Sequence, residues 1–362
     1  MIICSHCRKE IGPDTVIIPD NNFLKALIEN GVDVNGDSII SHTEAEEITY
    51  LNLWECNISN LAGIEFFINL DTLYCSHNQL TRLDISKNTK LKCLWCDFNE
   101  LTNLDVAENI ALEFLRCSGN LLTTLDISQN NELTGLQCYY NQLTTLDLTN
   151  NDALEILWCG YNNLGTLDVS KNYLLREFLC NNCQLTQLDI SNNLNLSSLL
   201  CYNNQLTDLD VSCNTALYDL RCQGNQLTSL DLSNNNLLSF FDCDHNQLFE
   251  LDVSNNPELI FLSCSANQLS TLDVTNNTVL MILFCSCNQL NELDLSNNTL
   301  LGTHDNWCKI DLDISDMPTL FQVCVWILPF PPTPPPGSLE CMKTLIDTTS
   351  SPNVYFTTDC CK

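Results

Sequence analysis

The sequence predicts a solenoid of short stacked coils with a parallel β-sheet along one face. The prediction rests on three sets of identical residues that recur at a constant step, here called columns. Cysteine recurs every 21 residues from Cys75 to Cys285. Leucine recurs with the same step from Leu80 to Leu290, and asparagine does so from Asn88 to Asn298. One short coil cannot cover its own leucines, whereas stacked neighbours bury them continuously. The repeat therefore predicts one elongated core rather than several globular domains.

Each coil begins with the strand of the predicted sheet. In Leu94-Trp95-Cys96, strand alternation places Leu94 and Cys96 in the interior and Trp95 on the outside. The asparagine three residues further on, Asn99, should point inward and satisfy backbone groups where the chain turns. Cys183 replaces this asparagine in one coil, which should lose a hydrogen bond. The second half of each coil repeats the in-out pattern, so we expect shorter strands or tight turns on the opposite face.

The repeat unit, L-x-x-L-x-C-x-x-N followed by Q-L-T-x-L-D-V-S-x-N, resembles the leucine-rich repeat. Its 21-residue form with a cysteine column is similar to repeats of the bacterial internalin class and of secreted Bacteroidetes repeat proteins. The resemblance implies a sheet on the concave face and short strands or turns on the convex face. We divide the chain into an N-terminal cap (1–47), the solenoid with an imperfect first coil (48–302), and a degenerate last coil, proline-rich segment and C-terminal cap (303–362).

The N-terminal cap is predicted to hold a short helix and a calcium loop. Asp20 can cap a helix whose apolar face comprises Phe23, Leu24, Leu27 and Ile28. The segment that follows matches the EF-hand template, in which oxygen ligands at alternate positions converge on one ion. Ser38 stands where the template has glycine, so a solvated acidic turn is the alternative. The predicted ligands are Asp33, Asn35, Asp37, Ile39, Ser41 and Glu44.

The 23 cysteines are predicted to have different roles. The column cysteines face a dry core and should behave as small hydrophobic side chains rather than disulfides or metal ligands. Cys324 can form a disulfide near the C-terminus in an oxidising compartment, with Cys360, or alternatively Cys341 or Cys361. Cys4 and Cys7 have the spacing of a zinc knuckle but lack a second pair nearby, so zinc is a minor alternative.

An aspartate column from Asp84 to Asp294 accompanies the repeat, and serine or threonine follows two residues later in ten of its eleven coils. We expect each aspartate to accept hydrogen bonds from these neighbours and so form a turn. A row of bound cations is the alternative interpretation.

The charge balance excludes several classes of function. The chain has 45 acidic and 14 basic side chains, a net charge of −31. Nucleic-acid binding requires Lys and Arg on the surface, and anionic membranes repel such a chain. The longest apolar run, 321–330, is too short to span a bilayer. We expect a monomer. The resemblance implies a secreted or cell-surface protein, although the N-terminus lacks the apolar core of a signal peptide; a cytoplasmic protein is the alternative.

The sequence does not predict an enzyme, because catalytic groups must converge. His77 and His245 share a repeat position but lie eight coils apart, about 40 Å at the strand spacing. The sequence contains no phosphate loop, nucleophile elbow or two-histidine metal motif.

The outward positions of the strands vary and are rich in aromatic residues and arginine, which are enriched in interface hot spots. We therefore predict a non-catalytic binding protein that recognises a protein or glycan, and the resemblance implies a role in adhesion. An intracellular scaffold is the alternative, and ice or mineral binding by the threonine row from Thr81 to Thr228 is a lower one, because Gly165 and Phe249 interrupt that row. The candidate ligand-binding residues are Tyr74, Trp95, Phe98, Phe114, Arg116, Tyr139, Trp158, Tyr161 and Tyr202.

Overall fold

A computed structural model describes residues 14–301, 312–325, 346–347 and 354–358. It divides into two compact units, Met1–Asn151 (the first unit) and Asp152–Lys362 (the second unit). Some predictions concern residues outside the described ranges: the Cys4–Cys7 pair, the proline-rich segment 329–336, and Cys341, Cys360 and Cys361.

The cap of the first unit contains two helices, α1 (Asn21–Glu29) and α2 (His42–Glu46). Asp20 caps α1 as predicted: its Oδ1 accepts hydrogen bonds from the backbone N–H groups of Asn22 at 2.8 Å and Phe23 at 3.1 Å. Phe23 and Leu27 are buried, but Ile28 is exposed. The buried face of α1 is therefore narrower than the predicted apolar face. Neither helix approaches the length and apolarity that a membrane span requires in the described part of the chain.

The cap is tied to the first coil by the second carboxylate oxygen of Asp20. This Oδ2 atom accepts hydrogen bonds from the backbone N–H of Ser59 at 2.8 Å and from its hydroxyl at 2.9 Å. These bonds outweigh the opposing effect of burial and lower the pKa of Asp20. The same residue thus begins α1 and fixes the helix against the solenoid. A 3-10 helix, Ile64–Phe66, follows in this first coil.

The strands of the first unit form a parallel sheet in the order of the chain. Their middle residues, such as Leu94, are buried, and the residues on either side point outward. Because each strand pairs in register with the next, equivalent residues of successive coils form columns across the sheet. The strands are β1 (Tyr50–Asn52), β2 (Thr72–Tyr74), β3 (Cys93–Trp95), β4 (Phe114–Arg116) and β5 (Gly135–Gln137).

The second unit repeats the same arrangement, with parallel strands in register at the same 21-residue step. The strands at this step are β6 (Ile156–Trp158), β7 (Glu177–Leu179), β8 (Ser198–Leu200), β9 (Asp219–Arg221), β10 (Phe240–Asp242), β11 (Phe261–Ser263) and β12 (Ile282–Phe284). Two further parallel strands continue the sheet at longer steps, β14 (Leu312–Asp313) 29 residues after β12 and β16 (Ile346–Asp347) 34 residues after β14. A second parallel sheet contains β13 (Glu292–Asp294), β15 (Gln322–Cys324) and β17 (Tyr355–Thr357).

The interior is built from the predicted columns. All eleven column cysteines are completely buried, and burial raises their pKa where a shift is resolved, for example to about 12 for Cys201. The inward asparagine also behaves as predicted. The side-chain N–H groups of Asn99 donate to the carbonyls of Cys75 at 3.0 Å and Cys96 at 3.1 Å, while its Oδ1 accepts from the N–H of Leu80 at 3.0 Å. Each coil is therefore bonded to the preceding one through its asparagine.

The coil in which Cys183 replaces the asparagine has a different turn. Its thiol lies 3.2 Å from the carbonyl oxygen of Cys159, the acceptor that an asparagine would use. A thiol cannot take over the role of the amide oxygen as an acceptor, and here the N–H of Gly165 in the preceding coil donates to the backbone carbonyl of Cys183 at 3.0 Å. Gly165 tolerates the change because it adopts a left-handed conformation with φ of 67°.

The aspartate column forms turns, as predicted. Asp84 Oδ1 accepts hydrogen bonds from the backbone N–H of Ser86 at 3.1 Å and from its hydroxyl at 2.8 Å, and the hydroxyl contact is the main reason why the pKa of Asp84 is lowered. Asp105 accepts from the N–H of Ala107 at 3.0 Å, so the turn forms even in the coil without a hydroxyl. Within the described ranges, tight turns occupy this side of the coils, and strands form there only at β13, β15 and β17.

Candidate binding face

The candidate site lies on the outward strand face of the first unit, which we define as the first and third residues of β1 to β5 with the outward residues that directly follow each strand. The third residues of β2, β3 and β4 are Tyr74, Trp95 and Arg116. All three were predicted as ligand-binding residues, and the register of the strands brings them side by side.

These three side chains form one continuous stack. The ring centroids of Tyr74 and Trp95 are 4.0 Å apart with an interplanar angle of 16°, and the guanidinium carbon of Arg116 lies 4.4 Å from the centroid of Trp95. Because Tyr74 belongs to the coil before Trp95 and Arg116 to the coil after it, both faces of the indole are covered. Tyr50 extends the row with an edge-on contact to Tyr74 at 5.5 Å.

A buried carboxylate fixes the arginine. The side chain of Asp97 is only 1% exposed, and its Oδ2 lies 3.0 Å from Nε of Arg116. Asp97 also accepts a hydrogen bond from the N–H of Ser118 at 2.9 Å and one from the hydroxyl of Ser76 at 3.3 Å. Burial raises the pKa of Asp97, against the opposing effect of the guanidinium. The ion pair and the indole together hold the guanidinium of Arg116 in one orientation.

A second aromatic row stands beside the stack, in the turn that follows each strand. The rings of Trp54 and His77 are 5.6 Å apart, and those of His77 and Phe98 are stacked at 4.6 Å. Trp54 is 53% exposed and Phe98 40%. The ring of Phe98 occupies the space that a side chain at Gly119 would fill, since a Cβ atom there would lie 2.5 Å from it. The absence of a side chain at Gly119 thus leaves room for the ring of Phe98 from the preceding coil.

A groove of about 410 Å³ lies between the stack and the second row, which contributes Trp54 and His77 to its lining. The groove is lined by predicted residues and by others that sequence reasoning missed. Tyr50 and Trp54 were missed because their coil precedes the regular repeat and pairs with the next at a 22-residue step. Asp97 was missed although it is an acid at a position that is serine in the coils on either side, which is a signal visible in the sequence.

Phe98 and the remaining predicted residues do not line the groove. Phe114 lies over Gly135, and the rings of Tyr139 and Tyr140 meet edge-on at 5.4 Å, all within the first unit. Three other predicted residues belong to the second unit: Trp158 ends β6, Tyr161 follows it, and Tyr202 follows β8.

The acidic side chains of the predicted calcium loop accept hydrogen bonds from backbone N–H groups of the same loop. Asp33 Oδ1 accepts from the N–H of Gly36 and its Oδ2 from the N–H of Ser38, both at 2.8 Å. Glu44 Oε1 accepts from the N–H of Val34 at 3.0 Å, and its Oε2 accepts from Ser41 at 2.9 Å. No group of three or more His, Cys, Asp or Glu side chains is gathered as a metal site anywhere in the described residues.

Stacked parallel strands in register at a 21-residue step, with interior columns of leucine, cysteine and asparagine, define a leucine-rich repeat solenoid. Comparisons with known proteins agree, since a Leucine Rich repeats (2 copies) family model matches residues 68–109. The functional domain of InlJ from Listeria monocytogenes, which includes a cysteine ladder, is 32% identical over 85% of this chain and 75% of that chain, with a TM-score of 0.65. The chain therefore belongs to the leucine-rich repeat family, and its cysteine column is similar to the ladder of InlJ.

More distant structures share the fold. The internalin InlF from Listeria monocytogenes is 21% identical, with 92% of this chain and 95% of that chain covered and a TM-score of 0.70. The leucine-rich repeat protein LIC12759 from Leptospira interrogans is also 21% identical, with 87% and 93% covered and a TM-score of 0.65. No curated protein sequence matches the chain significantly. The leucine-rich repeat fold typically serves as a non-catalytic scaffold that binds proteins.

Proposed function

We propose that this chain binds a protein partner through the outward strand face of the first unit. The observation that supports this most is the groove between the two aromatic rows, where the stack of Tyr74, Trp95 and Arg116 lies beside the exposed rings of Trp54 and Phe98. Tryptophan, tyrosine and arginine are the side chains that most often dominate binding energy at protein interfaces. A stack that is already rigid loses little conformational entropy when a partner binds.

The backbone conformation of the second row adds to this argument. Phe98 and Tyr140 both adopt the left-handed conformation, with φ of 51° and 54°. The equivalent residue is glycine at 119 and 224, where this conformation carries no steric cost. A bulky residue at such a position costs on the order of 1 kcal/mol. The same conformation is adopted at this position by residues of other types, such as Ala266 and Cys287, so it is a feature of the turn that places the rings of Phe98 and Tyr140 on the outward face.

We infer that the chain works outside the cell or on its surface, as an adhesion or surface-recognition protein. Cys324 is disulfide-bonded, and structural disulfides persist in oxidising compartments. Similarity to InlJ and InlF points in the same direction. An intracellular scaffold is the alternative. Counting the thiols of the natural protein under denaturing conditions separates the two, since a disulfide supports export and a full set of thiols supports the intracellular alternative.

A second proposal concerns the loop from Asp33 to Glu44, which we propose binds calcium. The replacement of the usual glycine by Ser38 argued against this site in the sequence. Ser38 nevertheless adopts the left-handed conformation of that turn, with φ of 63°. Oxygens of Asp33, Asn35 and Asp37 alternate along the loop, and Glu44 completes it, so the donor types suit a hard cation.

The interface proposal is tested with exposed residues, because truncating Trp95 would also break the stack. The partner is recovered with the immobilised chain from cell-surface extracts, identified by mass spectrometry, and titrated against variants. We expect W54A/F98A to weaken binding by about thirtyfold, the effect of roughly 2 kcal/mol at a hot spot. F249A is the matched control, since Phe249 is 59% exposed but lies on the threonine row rather than on the strand face. Unchanged affinity of W54A/F98A would contradict the proposal.

A further inference from the structure

The groove of the first unit contains an arginine whose hydrogen-bonding capacity is only partly used. Nε of Arg116 faces Asp97 at 3.0 Å, and the guanidinium lies on the face of Trp95. Within the described residues, no group accepts a hydrogen bond from Nη1 or Nη2 of Arg116. A guanidinium carries five N–H donors in a planar fork that matches a carboxylate. The guanidinium of Arg116 is therefore held in one orientation, with the N–H groups of its terminal nitrogens, the outer edge of the fork, free to bind a ligand.

The neighbouring groups leave an excess of donors in the groove. The carboxylate of Asp97 forms an ion pair with Arg116, without a well-aligned hydrogen bond to Nε, and accepts hydrogen bonds from Ser118 and Ser76. The indole N–H of Trp95 is enclosed, with the thiol of Cys93 beside it, and does not face the groove as a free donor. The donors that remain open to a ligand are therefore the outer N–H groups of Arg116, and a ligand that binds them must bring acceptors.

A cationic ligand does not fit the same groove. Tyr74 and Arg116 already cover both faces of Trp95, so no indole face remains for another cation. A second cation would also be repelled by Arg116. The net charge of −31 does not oppose an anion strongly at this point, because charges beyond about 8 Å are largely screened at physiological ionic strength.

The second unit shows what closes such a fork. Arg221 ends β9 as Arg116 ends β4, and it binds the carboxylate of Asp219 through Nε at 2.9 Å and Nη2 at 3.2 Å. Asp219 is the first residue of that strand. The corresponding residue of β4 is Phe114, so the coil of Arg116 lacks the carboxylate that closes the fork in the coil of Arg221.

We propose, as an extension of the proposed interface, that Arg116 and the groove receive an aspartate or glutamate side chain from an acidic segment of the protein partner. The carboxylate binds the outer edge of the Arg116 fork. Apolar residues that flank it in the partner contact Tyr50 and Trp54, which line the groove.

The test uses the full chain and a displayed library of random peptides, selected for binding to the wild type. We expect the selected peptides to share an aspartate or glutamate at one position. Replacing that residue by asparagine or glutamine should weaken binding at least about tenfold, as expected for hydrogen bonds to a charged group. R116K should weaken it similarly, because lysine can still pair with Asp97 but has no fork. R221K is the matched control and should leave binding unchanged.

The other outcomes overturn the inference in distinguishable ways. Peptides that bind wild type and R116K equally but lose affinity for W54A/F98A would refute the carboxylate and leave the proposed interface intact. Selected peptides rich in lysine or arginine, or recognised only through a free C-terminal carboxylate, would refute the stated partner. Peptide binding insensitive to R116K and to W54A/F98A would overturn both proposals. A carboxylate can also come from a glycan, so the chain is tested in parallel on an array of uronic-acid oligosaccharides. Binding to that array, with no selected peptide whose binding depends on Arg116, would show that the ligand is an acidic glycan and not an acidic protein segment.

Discussion

Replacing Asn99 by alanine tests the structural basis of the solenoid most directly. Asn99 connects two coils: it donates to the carbonyl of Cys75 and accepts from the N–H of Leu80 in the preceding coil, both at 3.0 Å, while its own coil supplies Cys96 at 3.1 Å. The carbonyl of Cys75 keeps a second donor, Asn78 at 2.9 Å. Only the N–H of Leu80 is therefore left buried without an acceptor.

The loss of stability in N99A can be estimated from these hydrogen bonds. One orphaned buried N–H costs about 1–3 kcal/mol, and the lost side-chain bonds contribute about 1 kcal/mol each. We expect N99A to lower the free energy of unfolding by about 3–5 kcal/mol. N99C is the matched control, since Cys183 shows a thiol 3.2 Å from the equivalent carbonyl. It keeps a donor and should cost about 1 kcal/mol less than N99A.

The assay is urea unfolding followed by far-ultraviolet circular dichroism, combined with hydrogen exchange measured by mass spectrometry. Exchange is needed because stability in a repeat protein is partly local to each coil and its neighbours. The amide of Leu80 should lose its protection in N99A and in N99C, while coils of the second unit keep theirs. An N99A protein within about 1 kcal/mol of wild type, with Leu80 still protected, would refute the reasoning.

Three further predictions follow from the chemistry of individual groups. Calorimetric titration with CaCl2 should give binding heat that E44Q abolishes, and an absence of heat in wild type would reject the calcium loop. Burial raises the pKa of Asp242 to about 7 from 3.8, so its ionisation costs the fold up to about 4 kcal/mol. Well below pH 3.8 this carboxyl is protonated in both states and the cost vanishes; stability falls as pH rises from 3.8 to about 7. Accordingly D242N should stabilise the protein at pH 8 and not at pH 4, and equal urea midpoints at pH 8 would contradict this. Finally, the exposed Cys213 and Cys287 should react with a thiol reagent in the native protein, while column thiols react only after unfolding; rapid native labelling of Cys201, located by peptide mapping, would show that the core is open.

Sequence reasoning predicted the columns and their roles because the repeat reports the same environment many times. Each leucine, cysteine or asparagine at a fixed step is an independent indication of an interior position. For the same reason the outward position of Tyr74, Trp95 and Arg116 could be predicted. The candidate site could be predicted only as a set of side chains on one face, since a column does not reveal which neighbours touch.

The sequence alone determined the repeat, the parallel register, the buried thiols and the turn-forming aspartates. The tertiary structure decided that Trp95 lies between Tyr74 and Arg116, and that Asp97 holds the guanidinium from beneath the protein surface. It also decided that Asp219 closes one arginine fork while Phe114 leaves the other open. The physical reason is that interior positions are fixed by burial, which the period of the sequence encodes. Surface chemistry depends instead on the rotamers and partners of single residues in adjacent coils, which no repeating pattern records.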